Sequence, residues 1–262
     1  MRLFRRILVT AVVTLAVIFT VVRWAADVTL TFYAAKKVPA IARVVPTELK
    51  DHTVSQAPGT RLSYLGYNFE VPWSDLDESK TKLYPKEKPD KTMVVLTFRS
   101  GLRLRLTAFP TGEWKTLFTT DFKLSPQQFE QFVGHEASKS DYVFLRNLYD
   151  FTPDKMHYWA WSSAVHAHEV MVLTIKSIAP TKAAETGIFN VQNETFKGFQ
   201  QGNPLARTGL LLVTLYSDDG NVEITLWQKD YKNPAGITQP EINRIVQSVN
   251  KIRPREVIVS KK

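Results

Sequence analysis

The sequence predicts an α+β protein, in which an N-terminal transmembrane helix is followed by one domain with a mainly antiparallel β-sheet and helices packed on it. Three observations lead to this prediction. Residues 7–22 are apolar without a charge. Alternating segments flank tight-turn sequences at Ser100-Gly101 and at residues 217–220, which is typical of β-hairpins. Capping-box sequences begin segments with apolar residues at helical spacing, and the order strands, helices, strands, helix favours the α+β class.

The membrane helix depends on the apolar run at residues 7–22, which follows a basic start. At about 1.5 Å per residue the run spans roughly 24 Å, less than a hydrocarbon core of about 30 Å. Flanking residues complete the span, with Arg23 extending to the headgroups and Trp24 at interfacial depth. We therefore predict a signal-anchor helix at residues 1–26 that contacts the membrane through residues 3–26. The alternatives are a cleaved signal peptide, although Trp24 stands where cleavage requires a small residue, and a buried helix of a soluble protein.

The positive charges on the two sides of the run set the predicted orientation. Arg2, Arg5, Arg6 and the α-amine precede it, and four basic residues follow it before residue 44. The two counts balance under the positive-inside rule. Because a basic start is inserted first, we predict a cytoplasmic N-terminus, an extracytoplasmic C-terminal domain and a location in a bacterial envelope.

The net charge of +9 is concentrated at the two ends of the chain. Residues 1–50 carry eight Lys/Arg and two Asp/Glu, residues 51–250 carry 21 and 22, and residues 251–262 carry five and one. The nearly neutral domain argues against a nucleic-acid partner, because such binding needs basic charge on a folded face. The basic ends suit anionic lipid headgroups, and a plain solvated tail is the alternative at the C-terminus. The chain has no cysteine, which excludes disulfides and thiol catalysis.

The anchor and the domain are separated by residues 27–60, which we predict to be a juxtamembrane stalk. Residues 27–35 fit either a short strand or a continuation of the helix, and several prolines then interrupt regular structure. The globular domain is placed at residues 61–252. Residues 253–262 form a basic C-terminal tail.

Local patterns predict the elements of the domain in order. Strands are predicted at residues 62–71, 92–99, 102–109, 156–178, 210–216 and 222–227, a strand pair or one long strand at 186–199, and an exposed loop at 74–91. Helices are predicted from the capping box Ser125/Gln128, from Ser140, and from the capping box Thr238/Glu241. Gly134 ends the first of these helices and the last carries an apolar stripe at residues 242–249.

His166 and His168 are the candidate metal ligands. On a strand these two positions point to the same side, so both imidazoles would approach one metal ion. The alternative is a pair of solvent-exposed histidines. Glu169 falls on the apolar side of the same strand, where it is either an acid or base with a raised pKa or one half of a salt bridge at the rim of the core.

The candidate ligand-binding residues are Arg99, Arg103 and Arg105 on the first hairpin. Their guanidinium groups suit a carboxylate or a phosphate, and the alternative is that they pair with acids on neighbouring strands. The aromatic residues of the segment Tyr158-Trp159-Ala160-Trp161 are candidates for stacking on a sugar or a partner, or for ordinary packing. The sequence 218–221 reads as a hairpin turn rather than a calcium loop.

Two short stretches resemble a known family. The sequence LGYNFEVP at residues 65–72, and the late helix with Ile242, Ile245, Val246, Ser248 and Val249, resemble the Mog1/PsbP-like family of α/β/α sandwiches. The resemblance implies a non-enzymatic binding or assembly factor, of the kind that many bacteria anchor or export. It assigns no functional residue in this chain.

These observations lead to one functional prediction and one alternative. We expect a single-pass membrane-anchored protein whose extracytoplasmic domain is a binding or assembly module, with an unidentified envelope protein as its partner, no cofactor and no enzymatic activity. The sequence has no nucleophile-elbow, Walker A or dinucleotide-binding motif. The alternative is a metal-dependent hydrolase that uses His166 and His168.

Overall fold

The computed structural model describes residues 2–88, 91–206, 209–228, 232 and 236–252. The basic tail predicted at residues 253–262 lies outside this part of the chain. Two compact units are formed, one by Met1–Arg43 with Phe151–Ala179 and the other by Val44–Asp150 with Pro180–Lys262. We call them the helical unit and the sheet unit. This grouping differs from the predicted domain at residues 61–252, because a segment from the middle of that range joins the N-terminal helix.

The bounds of the elements are as follows. The α-helices of the described residues are α1 Arg2–Lys37, α2 Glu113–Thr120, α3 Pro126–Val133, α4 Asp141–Asp150, α5 Ser163–Ile178 and α6 Gln239–Ser248. The strands are β1 Pro46–Glu48, β2 Thr60–Tyr64, β3 Tyr67–Val71, β4 Lys82–Lys88, β5 Lys91–Thr97, β6 Arg103–Phe109, β7 Ile188–Gln192, β8 Lys197–Gln201, β9 Leu210–Tyr216, β10 Asn221–Trp227 and β11 Asn250–Lys251. Short 3-10 helices occupy Ala40–Arg43, Glu78–Lys80, Pro153–Lys155, Lys182–Thr186 and Pro204–Ala206.

In the helical unit, α5 packs along the second half of α1. Ala35 of α1 lies with Leu173 of α5 and Met156 in one small apolar cluster. Residues 12–22 of α1 are largely exposed, and Val13 and Phe19 are 55% and 68% exposed. Within the described residues, Val12–Lys37 is long and apolar enough to cross a membrane, with a mean hydropathy of 1.7.

The sheet unit contains an eight-stranded sheet in the order β1-β7-β8-β9-β10-β6-β5-β4. Its pairs are antiparallel except for β1 with β7, which run parallel. A second sheet has the order β11-β3-β2 and is antiparallel. The predicted α+β class with a mainly antiparallel sheet is therefore confirmed.

The core of the sheet unit lies on one face of the large sheet. Leu104 and Leu106 of β6 face it together with Val213 of β9, and all three are buried. Ile242 and Ile245 of α6 belong to the same cluster. The helix is fixed at its start by the predicted capping box, in which Glu241 accepts from the backbone N–H of Thr238 at 2.7 Å.

The opposite face of the large sheet is covered in part by α4. Tyr142 and Tyr149 of that helix pack on Phe199 of β8, with ring centroids 5.3 and 5.0 Å apart. Gln201, on the same face of the strand, donates to the hydroxyl of Tyr149 at 3.0 Å. Burial raises the pKa of Tyr149, so this hydroxyl stays protonated and acts as a hydrogen-bonding group.

Several local predictions are confirmed and others are corrected. The single strand predicted at 62–71 is wrong, because two strands, β2 and β3, pair there as a hairpin. At 186–199 the alternative of a strand pair is confirmed by β7 and β8. Both hairpins, the helices α3, α4 and α6, and the capping box of Ser125 with Gln128 are present. The loop predicted at 74–91 is wrong in part, because β4 forms there and pairs with β5. At the start of the predicted stalk α1 continues to Lys37, so of the two alternatives for residues 27–35 the continuation of the helix is confirmed. The strand predicted at 156–178 is wrong, because Ser163–Ile178 is helical.

Candidate functional site

The helical form of α5 changes the geometry of the two candidate metal ligands. Successive residues of an α-helix are turned by about 100°, so His166 and His168 point to nearly opposite sides. His166 is 3% exposed; its Nδ1 lies 2.9 Å from the hydroxyl of Thr31, and its Nε2 donates to the carbonyl of Ala160 at 2.8 Å. His168 is half-buried, and this burial lowers its pKa. The strand geometry on which the predicted metal site rested is therefore wrong.

A metal site elsewhere has no support in the part of the chain that the structure describes. No group of three or more His, Cys, Asp and Glu side chains in these residues could hold a metal ion. Both ring nitrogens of His166 already lie at hydrogen-bond distance from oxygen atoms.

Glu169 lies on the buried side of α5 and is 4% exposed. Its carboxylate accepts from the backbone N–H of His157 at 2.9 Å and lies 2.6 Å from Nδ1 of the same residue. Glu169 therefore forms a hydrogen-bonded pair with His157 at the rim of a core, as the structural alternative left by the sequence predicts. The interaction joins the segment before α5 to the first turns of that helix.

The structure places the three candidate arginines in different surroundings. Arg105 of β6 donates to Glu223 of β10 at 2.8 Å and to Thr225 at 3.0 Å, and its guanidinium lies 5.4 Å from the ring centroid of Trp227. Arg103 is exposed on the same strand, and Arg99 lies in the hairpin turn. Arg105 therefore pairs with an acid on a neighbouring strand, which is the alternative to ligand binding.

The most distinctive cluster of the helical unit was not predicted. It joins α1 to residues 157–162, which we call the aromatic loop. Trp161 stacks on Trp24 with ring centroids 4.6 Å apart and planes at 20°, and Tyr158 stacks on Phe32 at 4.3 Å and 15°. The indole N–H of Trp24 donates to the carbonyl of Ala160 at 2.8 Å.

The same carbonyl of Ala160 accepts from His166, so one oxygen receives hydrogen bonds from both helices. A carbonyl has two lone pairs and can accept both. Trp159 and Trp161 nevertheless remain 67% and 70% exposed. Two large aromatic rings are therefore held in fixed positions on the surface, which is unusual for side chains of this size.

A second candidate site is a polar groove in the sheet unit. One cavity of about 560 Å³ lies between β1, β7, α4 and α6, and another of about 630 Å³ lies beside the start of α4 and the β9–β10 turn. Tyr142, Arg146 and Lys197 line both cavities. We call this combined surface the α4 groove.

Amide side chains build the walls of the α4 groove. Asn243 of α6 donates to the carbonyls of Asp51 and Thr53, at 2.9 and 2.8 Å, and so fixes the segment after β1. Asn190 of β7 donates to Glu48 at 2.7 Å, while its own Oδ1 is buried and has no hydrogen-bond partner among the described residues. The groove therefore offers hydrogen-bond donors and acceptors together with side chains of both charges. Such a lining suits a polar ligand or a peptide better than a polyanion.

Comparison of this chain with family models, with curated proteins and with solved structures finds no match. The resemblance to the Mog1/PsbP-like family therefore stays a prediction.

Proposed function

We propose that this chain is a single-pass membrane-anchored protein whose α+β domain acts as a binding or assembly module on the extracytoplasmic side. The observation that carries the proposal is α1, which exposes apolar side chains along residues 12–22 and packs against α5 further along. A helix of this kind joins a membrane span to a folded unit without a flexible stalk.

The charge distribution supports the orientation and the kind of partner. The basic residues before the apolar run suit the cytoplasmic face, and the nearly neutral range 51–250 suits neither nucleic acid nor another strong polyanion. The basic ends of the chain are proposed to contact anionic lipid. The partner of the domain is an envelope protein.

The α4 groove is the proposed binding surface for that partner. It is open and polar, and it contains Arg146 and Lys197 beside Glu48 and Glu194. Mixed charges of this kind favour hydrogen bonding to a polypeptide. The absence of a three-ligand cluster in the described residues gives no positive support to the hydrolase alternative.

Two measurements test this proposal. Reporters active on one side of the membrane, fused after Lys262, are expected to report the outside; an inside signal would reverse the orientation. Co-purification from native membranes is expected to recover a stoichiometric envelope protein. Lys197→Glu in the groove should reduce its recovery, whereas Lys115→Glu, an exposed lysine on α2, should not. Equal recovery with both variants would remove the groove from the proposal.

A further inference from the structure

We propose that the aromatic loop lies in the headgroup layer of the membrane that α1 spans, and that Trp159 and Trp161 form a second membrane contact beside the helix. This inference rests on the proposed function, because it requires α1 to be the anchor. To the proposed function it adds a binding surface, the aromatic loop, and a ligand class, the lipid headgroups.

The depth follows from the position of Trp24. Residues 3–23 of α1, at about 1.5 Å per residue, span about 30 Å, which is the thickness of a hydrocarbon core. Arg23 and Trp24 then lie at the boundary with the headgroups, where the amphipathic indole ring is most favourable. Trp161 stacks directly on Trp24, so the Trp161 end of the loop lies at the same depth, whereas Tyr158 stacks on Phe32, about 12 Å further along α1.

The direction of α5 places its first residues, and not its last ones, at the membrane. Ser163 donates to Asp27 at 2.5 Å, His166 meets Thr31, and Leu173 lies with Ala35. Contacts therefore advance along both helices together, and α5 runs away from the span in the same direction as α1. The aromatic loop precedes α5, so it is at the end that faces the bilayer.

The loop is fixed before it meets any lipid. Tyr158 donates its hydroxyl proton to the carbonyl of Pro153 at 2.6 Å, and Glu169 holds His157. The indole of Trp24 holds Ala160. Because the backbone is already ordered, burying the exposed rings of Trp159 and Trp161 in the interface costs little conformational entropy.

The lipid interface is favoured over another protein as the occupant because the exposed rings adjoin the membrane span. The uncovered apolar surface of α1 includes Val21 and Val22, at 45% and 62% exposure, and the Trp24–Trp161 stack follows it directly along the helix. Tryptophan combines a large apolar body with one N–H donor, which matches a layer that is apolar on one side and wet on the other. Two contacts at different points also fix the rotation of the helical unit about α1.

The test uses the absence of cysteine from the chain, since one introduced thiol can then be labelled alone. A nitroxide is attached to Ser162→Cys in the full chain, reconstituted in vesicles of phosphatidylcholine with a minority of phosphatidylglycerol. Ser162 is exposed, makes no side-chain cap to α5 and leaves both tryptophans in place. Accessibility to dissolved oxygen and to a water-soluble nickel complex then reports depth.

Two further labels give the reference depths. Val13→Cys lies near the middle of the proposed span and is expected to be accessible to oxygen but not to nickel. Ile178→Cys is 77% exposed at the far end of α5, about 22 Å further along the helix, and is expected to be fully accessible to nickel. The label at residue 162 should fall between them, with nickel accessibility several-fold below that at residue 178.

The outcomes separate the two proposals. If the label at residue 162 is as accessible to nickel as that at 178 while residue 13 is protected, the loop inference is wrong and the anchor stands. If residue 13 is also accessible, the anchor itself is wrong. In the Trp159→Ala/Trp161→Ala background, the label at residue 162 should become more accessible to nickel, and no change would show that the tryptophans do not make the contact.

Discussion

Glu169 of α5 holds His157 of the aromatic loop through two atoms, the backbone N–H at 2.9 Å and the ring Nδ1 at 2.6 Å. The chain contains a second Glu–His pair with the same 2.6 Å separation, Glu130 with His135, but there both side chains are about half exposed or more. The two pairs differ in burial, and burial decides how much a lost hydrogen bond costs.

Glu169→Ala should loosen the aromatic loop. The backbone N–H of His157 loses its acceptor, which should lower the free energy of opening the loop by about 1–3 kcal/mol. This change corresponds to roughly 5- to 150-fold faster amide exchange at His157. Hydrogen exchange of the full chain in detergent measures this. Glu130→Ala is the control and should leave exchange at residue 157 unchanged. Equal protection of that amide in both variants would mean that Glu169 does not hold the loop.

Thr31→Val should weaken the packing of α1 on α5. The hydroxyl of Thr31 is buried and lies 2.9 Å from Nδ1 of His166. Valine has the same shape without the hydroxyl, so the ring nitrogen loses its partner and the stability of the helical unit should fall by about 1–3 kcal/mol. Thermal unfolding of the full chain tests this. Thr29→Val is the control, because the exposed hydroxyl of Thr29 bonds within its own helix. If Thr29→Val lowered the stability as much as Thr31→Val does, the role assigned to the Thr31 hydroxyl would be wrong.

Acidification should destabilise the fold through His168. Burial lowers the pKa of His168 below its ordinary value of 6.5, while the carboxylate of Glu169 opposes the shift. The unfolded chain then binds more protons than the folded one, so this stability is complete above about pH 6.5 and is lost as the pH falls toward the lowered pKa. The unfolding temperature should decrease as the pH falls below about 6.5.

His168→Gln should make the decrease in unfolding temperature on acidification smaller, because the glutamine side chain does not take up a proton. His135→Gln, at an exposed histidine, is the control and should retain it. A pH profile that is identical in wild type and His168→Gln would show that another group is responsible.

Asp141→Asn should destabilise the sheet unit. The carboxylate of Asp141 is 9% exposed and accepts from the backbone N–H of Gly112 at 2.8 Å and from Asn221 at 2.9 Å. Gly112 and Asn221 share Oδ2 of Asp141, and Oδ1 accepts from the backbone N–H of Trp114 at 3.4 Å. Asparagine has one oxygen, so its amide N–H₂ would face either the N–H of Trp114 or the other two donors, at a cost of about 1.5–3 kcal/mol. Asp121→Asn, at an exposed residue after α2, should have no measurable effect in the same denaturant titration. Identical midpoints for the two variants would contradict the proposed role of Asp141.

Short-range signals in the sequence were sufficient for the hairpins and the capped helices. Ser125 with Gln128, and Thr238 with Glu241, form hydrogen bonds between groups three residues apart. The turn at Ser100-Gly101 joins strands whose partners are close in the chain. Such interactions depend on local backbone geometry, so the residues that make them are sufficient to predict them.

The helix α5 shows why the apolar pattern was misleading. Its buried residues are His166, Glu169, Leu173, Ile175 and Lys176, and three of these five are polar. The hydrophobic residues between them alternate and resemble a strand. The buried polar groups are satisfied by partners from elsewhere, such as Thr31 for His166 and the carbonyl of Phe151 for Lys176.

The sequence by itself determined the α+β class, the apolar helix at the N-terminus, both hairpins and three helices, because each depends on neighbouring residues. Only the tertiary structure decided that α5 is a helix, that Trp161 stacks on Trp24, and that residues 48, 142, 190 and 197 line one groove. Trp24 and Ala160 are 136 positions apart, and no spacing in the sequence marks them as neighbours. Their contact exists because α5 packs along α1, and that packing depends on buried hydrogen bonds between distant residues.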